Sequence, residues 1–84
     1  MFQLMLDQKE FNLLSEKEKI TYLRRGAVYL ATREKKEFII KLYYLNTFFV
    51  EVYYDVYQRQ YNYFGTFCNT IWLEPYLRII KLNL

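Results

Sequence analysis

The sequence predicts an α+β fold: a four-stranded antiparallel meander with one helix before it and one after, in the order α-β-β-β-β-α, over a single domain of residues 1–84. Three observations predict it. A capping-box pattern at Ser15–Glu18 opens a stretch of helical spacing that ends at Gly26. From Ala27 onward the apolar period changes from 3.6 to 2. After Phe67 it returns to helical spacing around Pro75.

The first helix is expected from about Glu16 to Arg25. Ser15 accepts from the backbone three residues on, and Glu18 reaches back. Ile20 and Leu23 form the inner side, Arg24 and Arg25 suit the negative C-terminal end, and Gly26 is the expected left-handed stop. Phe11 and Leu14 tuck beneath the helix from a segment that holds a further helical turn.

Four strands follow, at roughly Ala27–Arg33, Phe38–Tyr44, Phe48–Tyr54 and Gln60–Phe67. Phe38, Ile40, Leu42 and Tyr44 form one face of the second strand; Phe48, Val50, Val52 and Tyr54 form one face of the third. If those faces join in one core, the loop needs an odd number of residues, because a one-residue slip turns one set outward. A three-residue loop, Leu45-Asn46-Thr47, satisfies this with Asn46 or Thr47 near the left-handed region. It places Lys41 opposite Glu51, an opposite-charge cross-strand pair. In the last segment Pro75 belongs in the first helical turn, where a missing N–H costs nothing. Leu73, Leu77 and Ile80 then form an inward stripe beside Trp72. Both helices are expected on one face of the sheet.

Phe48-Phe49-Val50-Glu51-Val52-Tyr53-Tyr54 and Leu73-Glu74-Pro75-Tyr76-Leu77 resemble a group of small uncharacterised bacterial proteins. These share an F-Y-V-E-V-W/Y-Y strand and an L-E-P-Y-L terminal helix. Asn12-Leu13-Leu14-Ser15 and Gly26 agree in type and order. The resemblance implies the fold and a mobile bacterial gene pool; it implies no activity and no catalytic residues.

At 84 residues the chain lies near the lower limit for folding without a staple, and it has one cysteine and no histidine. An internal disulfide and a Cys/His zinc site are therefore excluded, and stability falls to a composition that is 54% hydrophobic. A lone thiol, no secretory signal and no membrane-length apolar run point to a soluble protein of the cytoplasm, without membrane attachment. The net charge of +3 permits an acidic or nucleic-acid partner without requiring one.

Candidate chemistry is sparse. Glu51 and Asp55 share a strand face but stand roughly 13 Å apart, too far for paired acid–base work. Cys68 lacks a histidine base and reads as an inert thiol. Gly26 and Gly65 belong to no phosphate loop. Neither a catalytic site nor a cofactor is expected.

Binding is the class that remains. On the expected register the outer sheet face carries Tyr29, Arg33, Ile39, Lys41, Tyr43, Phe49, Glu51, Tyr53 and Phe64, with Asn62 beside them and Arg24 and Arg25 as a basic rim. A solvated sheet face is normally polar; this one is half aromatic, which is the mark of a contact surface. The leading expectation is protein–protein contact, with a second copy or a host nucleoprotein complex. Its most concrete form is a phage or mobile-element inhibitor of a bacterial defence complex, of the anti-CRISPR type. The second expectation is single-stranded RNA or DNA stacked on Tyr43, Phe49 and Tyr53, and the third is a structural homodimer.

Overall fold

The computed structural model describes residues 6–77. Its elements run α1 (Gln8–Asn12), α2 (Glu16–Gly26), β1 (Val28–Lys35), β2 (Phe38–Leu45), β3 (Phe48–Asp55), β4 (Gln60–Phe67) and a 3-10 helix, η1 (Thr70–Tyr76). The strands pair antiparallel in the order β1-β2-β3-β4. No helix among the described residues is long and apolar enough to cross a membrane.

Each helix starts where a side chain can satisfy free backbone N–H groups. Asp7 and Glu10 form a reciprocal capping box at α1, and Ser15 and Glu18 form another at α2. Gly26 is the last helical residue of α2, and the cap that follows, Ala27, is extended. No glycine has positive φ, so the expected left-handed stop at Gly26 is corrected. The helix ends because the chain enters β1 directly.

The central register also differs from expectation. Leu45 pairs with Phe48 across a two-residue Asn46-Thr47 turn, which sets Lys41 opposite Val52 and Leu42 opposite Glu51. The three-residue loop and the Lys41–Glu51 pair are therefore corrected. Asn46 takes φ 56°, and the β1–β2 turn likewise puts Lys36 at φ 55°; primed hairpin turns require a positive φ at their first loop position. Asn46 is fixed by donating from Nδ2 to the Leu6 carbonyl at 2.9 Å. The longer β3–β4 turn is held by Asp55, whose Oδ1 accepts from the N–H groups of Tyr57 and Gln58, both at 2.9 Å.

Register decides which side chains share a face. One face carries Ile39, Lys41, Tyr43 and Leu45 with Phe48, Val50, Val52 and Tyr54. The other carries Phe38, Ile40, Leu42 and Tyr44 with Phe49, Glu51, Tyr53 and Asp55. Helices α1 and α2 cover the first face. Leu6, Phe11, Leu23, Leu45, Phe48, Val50 and Val52 form its buried core, with Phe11 and Phe48 rings 5.7 Å apart. Lys19 seals its edge, its ammonium lying 5.5 Å from the Phe64 ring centre.

Helix η1 covers part of the second face, while Tyr44 and Tyr63 on the same face stay exposed. Ala31, Leu42 and Tyr76 are buried there, flanked by Leu30, Phe49, Phe67 and Leu73. The expectation that both terminal segments lie on one face is corrected, and the terminal segment is 3-10 through Tyr76 in place of an α-helix. Asn69 caps it by accepting from the Ile71 N–H. Tyr76 is its fully buried anchor, whereas Leu77 and Trp72 are exposed. Ile80 lies outside the described residues.

Candidate functional site

The residues expected on one outer face fall on two. Arg33, Phe49, Glu51 and Tyr53 lie on the face partly covered by η1; Tyr29, Ile39, Lys41, Tyr43 and Phe64 lie on the helix side. The two-residue turn inverts β2 and β3 relative to one another compared with the expected pairing, and a bulge between Tyr29 and Ala31 in β1 puts Tyr29 and Arg33 on opposite faces.

On the η1 face the charged residues close on themselves. Glu51 projects from β3 opposite Leu42 and Gly65. Arg33 reaches from β1 across β2 to place its Nη2 3.0 Å from Glu51 Oε2. The Tyr76 hydroxyl donates to the same oxygen, and the guanidinium lies 5.1 Å from the Tyr76 ring centre. Burial, followed by the hydrogen bond to Glu51, raises the Tyr76 phenol well above its ordinary pKa. Burial opposes the charge on Arg33, but its contacts with Tyr76 and Glu51 prevail and hold its pKa above the ordinary value. Because Tyr76 is fully enclosed and the Arg33 and Glu51 side chains are only 18% and 16% exposed, the cluster fastens η1 to the sheet. Phe49 stacks on Phe67 at 5.1 Å beside it.

The helix side is different. Helix α2 packs against β2, and a groove lies between it and strands β2, β3 and β4. Its volume is about 310 Å3, at the small end of ligand-sized clefts. Ile20, Leu23 and Arg24 of α2 form one wall; Ile39 and Val52 lie in the floor; Tyr43, Tyr54, Tyr61 and Lys41 complete it. The tyrosines are held by edge-to-face contacts: Tyr54 to Tyr61 at 5.4 Å and Tyr43 to Tyr29 at 5.8 Å. Burial, then the neighbouring Tyr61 and Tyr29 phenols, raises the pKa of Tyr43, with Arg24 opposing.

Both cations of the groove, Arg24 and Lys41, are exposed, and the ion pair between Arg33 and Glu51 lies on the opposite face. Among the described residues no carboxylate lines the groove; by register the nearest on β1 is Glu34, opposite Ile39. Arg24, Ile39, Lys41 and Tyr43 are thus brought together, and Tyr29 extends their surface outward. Phe64 lies partly buried under Lys19, and Arg25 is exposed in the last turn of α2 without lining the groove. Tyr54 and Tyr61 belong to the site but were not expected there. The signal that finds them is register, since Tyr61 pairs with Tyr54 across β3 and β4.

Among the described residues no group of three His, Cys, Asp or Glu side chains is placed to hold a metal ion. Cys68 is exposed and donates from Sγ to Gln8 Oε1. Compared with known families, curated proteins and solved structures, the chain matches none.

Proposed function

We propose that the chain is a non-enzymatic binding protein that acts through protein–protein contact, with the groove between α2 and strands β2–β4 as its docking surface. One observation carries this reading: an apolar, tyrosine-lined groove that holds two cations with no ion-pair partner among the described residues. Tyrosine and arginine are the side chains most often found at the energetic centre of a protein interface, where a large contact area accompanies a polar tip. The opposite face supports the choice by contrast, because its charges are paired and its aromatic anchor is enclosed. An inhibitor of a bacterial defence complex, of the anti-CRISPR type, is the most concrete form of the proposal and would act by occluding a surface of its target.

A photo-crosslinking pair tests the location. A benzophenone amino acid replaces Tyr61, at the groove, or Tyr63, which is exposed on the other face of the same strand. Irradiation in bacterial cells is expected to give a discrete protein adduct from position 61 and none from position 63. Adducts from position 63 alone, or from neither, would overturn the proposal.

A further inference from the structure

We infer, on the footing of that proposal, that the groove takes an acidic peptide segment. An apolar or aromatic side chain enters between Tyr43, Tyr54 and Tyr61, and a flanking carboxylate meets Arg24 and Lys41.

Charge excludes the simplest competitor. A second copy of this chain carries a net charge of +3. If it docked through the same face, it would bring a second Arg24 and Lys41 into an interface whose described groove lining offers no carboxylate to meet them, which opposes association. An occupant with carboxylates has the complementary sign.

The kind of anion follows from the surroundings. Arg24 projects from the last turn of α2, where backbone carbonyls make the helix end negative. That field tolerates a single carboxylate paired with a guanidinium better than a phosphodiester chain with a charge at every nucleotide. Ring geometry agrees. A nucleic-acid platform offers open ring faces to successive bases. The groove tyrosines are instead set at 75° and 68° to their neighbours, Tyr54 against Tyr61 and Tyr43 against Tyr29. An aliphatic or aromatic side chain fits among such edges.

Extent favours a peptide over a free small molecule. Tyr29, 54% exposed, continues the contact surface past Tyr43 onto the outer strand. A residue inserted in the groove would therefore have further chain to lay across β1.

Three probes test the inference against the 15N-labelled full chain. The first is a capped hexapeptide with a central Phe-Leu pair flanked by Asp and Glu. The second is its Asn/Gln isostere, and the third a short oligothymidylate. The acidic peptide is expected to shift the amide signals of Arg24, Lys41, Tyr43 and Tyr61 while leaving those of Arg33 and Gly65 in place. The isostere should bind about tenfold more weakly, as loss of a charge-assisted hydrogen bond implies. The paired substitution Arg24→Gln with Lys41→Gln should remove that preference while the remaining amide signals keep their positions. Equal binding of the isostere, shifts on the η1 face, or tighter binding of the oligothymidylate would each overturn the inference. So would the absence of binding by all three. Docking at the groove is decided separately by the Tyr61 crosslink, which does not depend on the occupant's charge.

Discussion

On the η1 side of the sheet the charged residue of the central strands, Glu51, has Arg33 and Tyr76 closed over it. On the helix side its counterpart, Lys41, is exposed beside Arg24 and has no ion-pair partner among the described residues. Both lie mid-strand among tyrosines, so local composition does not explain the difference. Coverage does. The terminal segment brings a phenol that can both fill space and donate to a carboxylate. Helix α2 brings Ile20, Leu23 and an arginine that repels lysine. A charge paired in a largely buried site serves to position an element. A pair of like charges over an apolar groove costs the fold a little repulsion and returns nothing to it.

The largest expected effect tests whether the two faces differ in structural weight. Phe48 is fully buried under α1 and α2. Phe48→Ala should cost about 3–5 kcal/mol through lost transfer energy and the cavity left behind. For a domain of this size, with about 4–13 kcal/mol of stability in all, that is a large share. Urea denaturation measures it. A cost below about 1 kcal/mol would mean that the helices are not anchored there, and the comparison would fail on its better-packed side.

The second prediction concerns the other face and is intermediate in size. Tyr76→Phe keeps the ring but deletes the donor to Glu51, and should cost about 1.5 kcal/mol. It should also change the alkaline limb of stability. The folded phenol holds its proton above the ordinary value of 10.0, where an unfolded tyrosine has begun to lose it. Between those values the native state binds more protons than the unfolded one, so stability falls as pH rises. The contribution is therefore complete below about pH 10 and declines above it. Denaturation midpoints at pH 8 and near pH 11 should converge in Tyr76→Phe relative to the parent. Equal pH slopes in both proteins would mean that Tyr76 is not enclosed by the cluster.

The elements themselves are legible in the sequence where one local rule has one consequence. Ser15 and Glu18 start α2 where the capping box places it, and all four strands lie within two residues of the positions that alternation indicates. The relative facing of β2 and β3 is not legible, for a specific reason. β2 is apolar on both sides, with Ile40 and Leu42 on one and Ile39 and Leu45 on the other, because both faces of the sheet are covered at least in part. Alternation can assign a strand to a core only when one of its sides is polar. The choice falls to the turn, and Asn46 accommodates a two-residue loop as readily as a three-residue one. The terminal segment fails by the same kind of ambiguity. Helical spacing pairs Leu73 with Leu77, whereas a 3-10 turn eclipses residues three apart and aligns Leu73 with Tyr76. Both site residues missed, Tyr54 and Tyr61, follow once the register is known.

The smallest expected effect sharpens the geometry at the end of α2, where the groove begins. Gly26 closes the helix with no positive φ, so its conformation does not require glycine. A methyl group there would meet Leu45 Cδ1 at 3.5 Å, an ordinary contact with a buried apolar side chain. Gly26→Ala should therefore stabilise the protein, by about 0.5–1 kcal/mol. Alanine restricts the unfolded chain and favours the helix, and it adds contact without displacing Leu45. The sign is what matters. A rise in thermal midpoint places α2 as described, with room between its last turn and β2. A fall would mean that helix and sheet approach more closely in solution, which would narrow the groove at Arg24 and leave less space for any occupant beside Tyr43.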